Sequence, residues 1–350
     1  MCQTDWILEP CPDPSEAHRE AALARQANLT KPPGSLGRLE DVAVTLAGLQ
    51  RREHPSADSA AIVLFAGDHG VTAQGVSAFP SAVTVEMVRN FARGGAAICA
   101  LARSLDVPLT VVDAGTLAAK PVEGVVTDKC RQGTGDFTVA PAMTDGDLDF
   151  AFAAGRRAVE RSGAPDVILF GETGIGNTTA AAAIAAAIIG HDPAEIAGAG
   201  TGLDNDGQRH KADVIAQALA LHDLDDGSPD VSRTLSHVGG LEIAALTGAI
   251  IAAAQAGVPV LVDGFIVSVA ALAAVRINPD VLPWLLFSHR SDERGHGIVL
   301  DALDAKPLLY LDMRLGEGSG AAIALPLVRN ACALHNEMAT FAEAAVSDGL

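Results

Sequence analysis

The sequence predicts an α/β fold in which a mostly parallel β-sheet is covered by helices on both faces. Five short apolar segments lack polar alternation, and each of them ends in glycine beside aspartate or glutamate. Continuous hydrophobicity of this kind is typical of strands that are buried on both faces. Segments rich in alanine and leucine at helical spacing separate these runs. Strand therefore alternates with helix, and the glycine and acid tails would gather at the carboxyl ends of the strands, where such sheets bind ligands.

The predicted elements begin with a segment that differs from the rest of the chain. The first 58 residues are polar, contain proline and favour helices, and "KPPGSLGRLED" (31–41) predicts a turn into a helix. The five predicted strands follow in chain order, in residues 60–70, 107–115, 166–174, 258–265 and 307–318.

The clearest predicted helices lie in residues 178–190 and 241–257. Gly257 would provide the C-terminal cap of the second helix. The most apolar span, Leu241 to Val275, is interrupted by a glutamine, a proline and an aspartate. We therefore predict a buried helix, strand and helix in this span, and no membrane-spanning segment.

Composition limits the classes of function that the chain can have. Its 350 residues are 49% hydrophobic and 19% charged, which is enough for one large α/β domain with an appendage or for two domains. Acidic residues outnumber basic ones, 43 to 24, and this balance argues against nucleic acid or an anionic membrane as a partner. Five cysteines without a C-x-x-C pair predict reduced thiols in a cytoplasmic protein. The N-terminus predicts no signal peptide.

The loop "GETGIGNTT" (171–179) is a candidate phosphate site. It follows a predicted strand and opens a predicted helix, an arrangement that presents free N–H groups and a positive dipole end to an anion. The spacing from Gly171 to Gly176 matches the nucleotide-binding phosphate loop, except that Asn177 stands at the lysine position. A single phosphate fits this loop better than a magnesium–nucleoside triphosphate. A plain strand-to-helix turn capped by Asn177 or Thr178 is the alternative.

Three further segments contain residues that could bind a phosphate or a metal ion. "GAGTGLDNDGQRHK" (198–211) contains Lys211, a possible partner for phosphate, although the loop alone favours a flexible surface segment. Asp68 and His69 are adjacent, and neighbouring residues rarely bind one metal ion. "SHRSDERGH" (288–296) is predicted to be a hydrogen-bonded loop. We therefore predict no metal site.

Glu317 is the candidate catalytic residue. It lies in "RLGEGSGAA" (314–322), where Gly316, Gly318 and Gly320 surround it, so a substrate could approach closely. Loss of solvation in such an apolar loop would raise the pKa of the carboxyl toward that of a general base. The alternative is a capping role, because Ser319 precedes an alanine-rich helix and acids favour first turns.

Ten stretches of the chain, in this order, resemble the nicotinate-nucleotide:dimethylbenzimidazole phosphoribosyltransferase family. They run from residue 31 to about residue 325 and are "KPPGSLGRLE", "FAGDHGV", "GVSAFP", "RGGAAI", "GETGIGNTT", "GTGLD", "HVGGLEIAALTGAI", "VDGF", "SHRS" and "RLGEGSGAA". The resemblance implies a homodimer with a large Rossmann-like domain, a three-layer α/β/α sandwich with a mostly parallel sheet, in residues 59–329. It also implies a small helical domain formed by residues 1–58 and joined by a C-terminal helix in residues 330–350.

The resemblance also implies roles for individual residues. Glu317 would be the general base. The nucleotide phosphate would be held by Gly174, Gly176, Asn177, Thr178, Gly202 and Lys211, with Ser291 nearby. The base pocket would be lined by the segment from Ser77 to Met87, including Phe79 and Glu86. Further substrate contacts would come from Glu172, Asp263, Leu315, Gly318, Ser319 and Gly320. Glu86 departs from the glutamine expected in many relatives, which puts the preferred base in doubt.

The implied reaction transfers the phosphoribosyl group of nicotinate mononucleotide to 5,6-dimethylbenzimidazole during assembly of the cobalamin nucleotide loop. It gives α-ribazole 5′-phosphate and nicotinate by inverting displacement, without a metal or another cofactor. Two alternatives remain at this point. One is a small-molecule kinase or NTPase built on the phosphate loop, against which the missing lysine counts. The other is a nucleotide-binding module without catalysis, in which Glu317 only caps a helix.

Overall fold

A computed structural model describes residues 5–224 and 230–347 of the chain. Within these residues, six parallel strands form one sheet in the order β3-β2-β1-β4-β5-β6, and two short strands form a second sheet. The strands are β1 (Ala60–Gly67), β2 (Leu109–Gly115), β3 (Val126–Thr127), β4 (Val167–Thr173), β5 (Val260–Val262), β6 (Leu285–Phe287), β7 (His289–Arg290) and β8 (Leu309–Tyr310).

Helices connect the strands and cover the sheet on both faces. The helices are α1 (Glu16–Asn28), α2 (Arg38–Gln50), α3 (Ala82–Ala92), α4 (Ala97–Leu105), α5 (Asp145–Arg161), α6 (Asn177–Ile189), α7 (Pro193–Ile196), α8 (Asn205–Leu221), α9 (Val231–Val238), α10 (Leu241–Gln255), α11 (Phe265–Ile277), α12 (His296–Ala302), α13 (Ser319–Glu337) and α14 (Phe341–Ala344). Short 3₁₀ helices occupy Asp5–Leu8, Gly70–Gln74 and Pro279–Trp284. The predicted α/β class with a parallel sheet is confirmed.

Two hydrophobic clusters lie on opposite faces of the sheet. Helices α5, α6, α10 and α11 contribute to the larger cluster, and helices α2, α4 and α13 contribute to the other. All eight residues of β1 are buried, because strands at the centre of a covered parallel sheet have no solvated face. The continuous hydrophobicity of the predicted strands is therefore explained by their burial on both faces, as expected.

The length predicted for the fifth strand was wrong. Of residues 307–318, only Leu309 and Tyr310 are extended, and they pair with β7 in the small sheet. Tyr310 and Leu311 are 63% and 50% exposed, so the apolar run does not mark a buried strand. The last strand of the large sheet is β6, which has three residues and no glycine–acid tail to reveal it. The helix, strand and helix predicted in 241–275 are confirmed as α10, β5 and α11, with Gly257 directly after the capping residue of α10 at a φ of 74°.

The two ends of the chain meet. Leu29 and Thr340 form an isolated antiparallel bridge, and the Arg25 guanidinium donates to carbonyls at the end of α13. Helix α13 runs without a break across the expected boundary at residue 330, and its first half packs in the core of the large sheet. We propose that α1, α14 and the end of α13 form the small domain together with α2, one face of which also packs in the core of the large sheet.

The strand order changes direction between β1 and β4, because β2 and β3 lie on one side of β1 whereas β4, β5 and β6 lie on the other. In open parallel sheets this switch point, at the carboxyl ends of the strands, is where ligands bind. Glycine-rich turns follow both strands there. In the described part of the chain, no helix has the length and hydrophobicity needed to cross a membrane.

Candidate active site

A cavity of about 340 Å³ opens at the carboxyl ends of β4 and β5. Its volume falls within the range of small-molecule sites. The lining residues are Phe79, Glu172, Thr173, Gly174, Ile175, Asn177, Thr178, Gly200, Thr201, Gly264, Phe265, Ile266, His289, Ser291, Glu293, Arg314, Leu315, Gly316 and Glu317. Eight of the residues expected to bind substrate or catalyse the reaction are in this set: Phe79, Glu172, Gly174, Asn177, Thr178, Ser291, Leu315 and Glu317.

The turn after β4 brings the start of α6 to the cavity. Gly176 is the N-terminal cap of α6, with a φ of 97°, and Asn177 is the first helical residue. The alternative of a cap by Asn177 or Thr178 was therefore wrong. The N-terminus of α11 opens into the same cavity through Gly264 and Phe265. Two helix N-termini that face one cavity favour an anion there, because both present unpaired N–H groups.

Gly174 and Gly176 serve the packing of this turn. A Cβ at Gly174 would clash with the carbonyl oxygen of Gly67, and a Cβ at Gly176 would lie 2.8 Å from Thr72 Cγ2 and 3.0 Å from His69 Cβ. Both glycines therefore allow the turn to lie directly on the chain that follows β1. Gly176 itself does not line the cavity.

Glu172 lines the cavity from the end of β4 as a buried carboxyl group. Burial raises its pKa well above the ordinary value, and the charges of Asp263, Glu242 and Glu317 raise it further. Asn177 Nδ2 donates a hydrogen bond to Glu172 Oε2. This environment favours the protonated form of Glu172, in which the carboxyl group could donate a hydrogen bond to a ligand.

Glu317 has an unusual backbone conformation. Its φ is 63°, and those of its neighbours Gly316 and Gly318 are 81° and 78°. A left-handed φ at a residue with a large side chain costs about 1 kcal/mol or more, so surrounding contacts must hold it. The Glu317 N–H donates to the Glu172 carbonyl at 3.2 Å, which ties this loop to β4.

The glycines around Glu317 do not leave room for a substrate in the way that the sequence suggested. A Cβ at Gly316 would clash with Glu172 Oε1, and a Cβ at Gly320 would clash with the His289 ring. The space at these positions is thus filled by the protein itself. The glycines allow the Glu317 loop to pack closely on β4 and β7.

The Glu317 carboxyl group is buried and incompletely hydrogen-bonded. The residue is 7% exposed, and its Oε2 atom has no hydrogen-bond partner among the described residues. Burial raises the pKa of Glu317, the backbone N–H of Ile98 opposes this, and the Asp263 charge adds to it. The predicted rise in pKa is confirmed in direction.

This rise predicts the pH dependence of activity. A general base must be unprotonated, so kcat should fall on the acid side with a midpoint above 4.5, the ordinary value for glutamate. Other buried carboxyl groups lie near Glu317 and can also titrate. A variant is therefore needed to assign the acid side of the profile to Glu317. We expect the pH–kcat profile of Glu317→Gln to lose this acid limb. An acid limb that persists unchanged in the variant would belong to another group.

Asp263, and not Glu317, caps α13. Asp263 Oδ2 accepts the Gly318 N–H at 3.1 Å, and Oδ1 accepts the Ala321 N–H at 2.8 Å. Ser319 Oγ donates to the Gly316 carbonyl at 2.7 Å. The capping alternative for Glu317 is therefore not supported. Asp263, Gly318, Ser319 and Gly320 lie behind the cavity wall and hold the loop that bears Glu317.

Lys211 is buried, contrary to the expectation of a flexible surface loop. It lies in α8, is 0% exposed, and its Nζ donates to Thr178 Oγ1 at 2.8 Å. Burial lowers its pKa to about 8, and the Glu293 charge opposes this shift. Lys211 thus lies one layer behind Thr178 and does not itself line the cavity.

Ser291 is held by the hydrogen-bonded loop that the sequence predicted. Its N–H donates to His296 Nδ1 at 2.8 Å, and its hydroxyl lies 2.9 Å from the same atom. Because the N–H can only donate, Nδ1 carries no proton and Nε2–H faces Ser268 Oγ at 3.0 Å. Burial lowers the pKa of His296 to about 3. Within residues 5–224 and 230–347, no cluster of three or more His, Cys, Asp or Glu could hold a metal ion.

Four other residues expected in the site do not line the cavity of the single chain. Ser77 Oγ lies 3.3 Å from Thr201 Oγ1 and connects the Phe79 loop to the cavity wall. Met87 packs against the core on α3, and Glu86 is exposed on the same helix. Gly202 is exposed, with a φ of 115°.

Sequence reasoning missed several lining residues. Glu293 and Arg314 bring charge to the cavity, and Arg314 donates to the Gly200 carbonyl at 3.2 Å. His289 lies 3.7 Å from Asp263, and burial lowers its pKa. The segments "VDGF", "SHRS" and "RLGEGSGAA" contain or adjoin these residues. A side chain's direction into a cavity, however, is not visible in a linear sequence.

The fold and the cavity together define a Rossmann-like α/β protein with a small-molecule site at the carboxyl ends of its central parallel strands. A family model described as phosphoribosyltransferase matches residues 11–346. The chain therefore belongs to this phosphoribosyltransferase family.

Individual relatives agree with this assignment. The nicotinate-nucleotide–dimethylbenzimidazole phosphoribosyltransferase of Bradyrhizobium sp. (strain ORS 278) is 64% identical over 345 residues, covering 98% of each chain. The enzyme of the same name from Xanthomonas oryzae pv. oryzae is 57% identical over 347 residues, covering 98% of this chain and 99% of its own. The crystal structure of CobT from Thermus thermophilus aligns with a TM-score of 0.91 at 42% identity, covering 95% of this chain and 100% of that one.

Proposed function

We propose that this enzyme transfers the 5-phosphoribosyl group of nicotinate mononucleotide to 5,6-dimethylbenzimidazole, a step in cobalamin nucleotide-loop assembly. The products are nicotinate and α-ribazole 5′-phosphate. The relatives that match along nearly the whole chain bear the name of this reaction. The single structural observation that carries the mechanism is Glu317, a buried carboxyl group with an unpaired oxygen at the cavity.

The chemistry of the bond sets what the protein must supply. A nitrogen of dimethylbenzimidazole attacks C1′ of the ribose, and the bond from C1′ to the pyridinium nitrogen breaks. Its electron pair goes to nicotinate, whose ring leaves uncharged, so no metal is required to neutralise the leaving group. The attacking ring would become cationic unless it lost its N–H proton. The Glu317 carboxylate takes that proton.

The remaining residues bind and align the substrates. The N-termini of α6 and α11 meet the nucleotide phosphate, with Lys211 behind Thr178 and with Ser291 beside Gly264. Glu172 forms a hydrogen bond with the nucleotide from the end of β4. Phe79 and Leu315 form an apolar rim for the flat aromatic rings. Much of the rate acceleration comes from positioning, because the enzyme holds both rings on one line through C1′.

Product analysis tests the proposal. The pure protein is incubated with nicotinate mononucleotide and a panel of benzimidazoles and purines, and products are identified by mass. We expect nicotinate and one ribosylated base phosphate in equal amounts, with dimethylbenzimidazole among the accepted bases. Glu86→Gln, measured on the same panel, reports whether that carboxylate affects the preferred base. Magnesium-dependent ATP turnover without a ribosylated product would favour a kinase or NTPase instead.

We also propose that the enzyme is a homodimer. Tyr310 and Leu311 are 63% and 50% exposed, and Leu315, which lines the cavity, is 57% exposed. Neighbouring exposed apolar side chains are typical of protein–protein interfaces. Light scattering should give twice the chain mass of 35.7 kDa, and a monomer mass at assay concentration would contradict the proposal.

A further inference from the structure

A buried polar layer lies behind the Gly174–Asn177 turn. It consists of Asp68, His69, Thr84 and Glu242, none of which is more than 2% exposed. None of these residues lines the cavity, including Thr84, which belongs to the 77–87 segment expected to line the base pocket. Three of them lie in "FAGDHGV" and "HVGGLEIAALTGAI", stretches whose role in the sequence is otherwise unexplained.

Thr84 is hydrogen-bonded directly to the turn. The N–H of Ile175, which lies in the cavity wall, donates to Thr84 Oγ1 at 3.0 Å. The Thr84 hydroxyl also stabilises the Asp68 carboxylate and so opposes the effect of burial, which raises the pKa of Asp68. Asp68 Oδ2 in turn accepts the Leu117 N–H at 2.8 Å. Thr84 therefore links the cavity wall to a fixed anchor.

His69 and Glu242 form the second part of the layer. His69 Nε2 and Glu242 Oε1 are 2.7 Å apart, and both side chains are completely buried. Burial lowers the pKa of His69, but the charge and hydrogen bond of Glu242 and the charge of Asp68 together outweigh it, so the net shift is upward. A Cβ at Gly67 or Gly240 would clash with this pair, so both glycines make room for it. Gly176 then packs its bare Cα against His69.

We infer that Asp68, His69, Thr84 and Glu242 are positioning residues that fix the direction of the N–H groups in the Gly174–Asn177 turn. A buried polar pair such as His69 and Glu242 adds little net stability, because desolvation offsets the attraction between its partners. What it adds is a fixed geometry, since each partner must stay in place to keep the other paired. The inference rests on the proposed role of this turn in binding the nucleotide phosphate.

The test compares Thr84→Val with Thr84→Ser. Valine has the shape of threonine but leaves the Ile175 N–H without its acceptor, whereas serine keeps the hydroxyl. We expect Thr84→Val to raise the KM for nicotinate mononucleotide about tenfold, the usual effect of one hydrogen bond. The KM for dimethylbenzimidazole should stay within about twofold. Thr84→Ser should have the wild-type KM for both substrates.

Thr247→Val is the matched control. Thr247 is buried on α10, and its hydroxyl donates to the Ile243 carbonyl at 2.9 Å. This control makes the same chemical change away from the turn, so it should lower Tm without changing either KM. The inference is overturned if folded Thr84→Val keeps the wild-type KM for the nucleotide, or if it raises both KM values equally.

Two further outcomes are separable. If Thr84→Val does not fold, the same KM measurements are made on His69→Gln. An increase in the KM for the nucleotide alone supports the inference. Unchanged KM values for both substrates overturn it. If Lys211→Met raises the nucleotide KM but Thr84→Val does not, only the positioning role fails. If neither variant changes it, the phosphate does not bind at this turn and the proposed function of the turn fails as well.

Discussion

Glu317→Gln is expected to lower kcat by about two to four orders of magnitude, the usual contribution of a positioned general base. The amide keeps the size of the side chain but cannot take the proton from the attacking base. The KM for nicotinate mononucleotide should change little, because Glu317 is proposed to act on the base and not on the phosphate. Steady-state kinetics with both substrates measures the two effects separately. A fall in kcat of less than about tenfold, or about 1.4 kcal/mol, would contradict the assignment.

Stability provides the control for this variant. Because the pKa of Glu317 is raised in the folded state, its contribution to stability is complete below the ordinary value and is lost as pH rises through the raised pKa. Glutamine does not titrate, so the variant does not lose this stability as the pH rises. At neutral pH the variant should therefore unfold at the same Tm as the wild type or higher. A lower Tm would show that the loss of activity reflects misfolding.

Lys211→Met is expected to raise the KM for nicotinate mononucleotide about ten- to hundredfold and to leave kcat nearly unchanged. The substitution removes the buried ammonium group behind Thr178 and its hydrogen bond to Thr178 Oγ1, and a charge-assisted hydrogen bond of this kind is worth about 1.5–3 kcal/mol. Arg314 also lines the cavity, but its guanidinium donates to the Gly200 carbonyl and the net charge of the chain is -19, so we expect it to compensate only in part. Wild-type nucleotide affinity should also fall above pH 8, where Lys211 loses its proton, and the variant should lack this dependence.

Lys129→Met is the matched control for this lysine. Lys129 is also largely buried and pairs with Asp113 at 2.7 Å, but it does not line the cavity. Its loss should reduce Tm without changing the KM for the nucleotide. A nucleotide KM in Lys211→Met within about twofold of wild type would contradict a role for Lys211 in phosphate binding.

Much of the fold was predictable because burial leaves a mark in the sequence. Strands β1, β2, β4 and β5 are covered on both faces, and their hydrophobic runs are continuous. The failure at residues 307–318 has a physical reason. An apolar run beside an exposed loop looks the same in the sequence as a strand in the core, and only the fold shows that Tyr310 faces solvent.

The site was predictable where chain geometry is local. The turn before α6 and the glycines around Glu317 are features of a few consecutive residues. The functions of Asp263, Thr84 and His69 depend on long-range contacts, such as the one between His69 and Glu242, which are 173 residues apart. The direction of a glycine's missing Cβ is also set by the fold. The sequence therefore suggested an open approach to Glu317, where the structure has tight internal packing.

The configuration of the product at C1′ tests the central claim most directly. If Glu317 acts as a base, the reaction is a single displacement, and the β-nucleotide must give an α-linked product. If Glu317 instead attacked C1′ as a nucleophile, two displacements would follow and the product would keep the β configuration. Chromatography of the product against α- and β-ribazole 5′-phosphate standards separates the two results. The account predicts the α anomer alone, and a β product would contradict it.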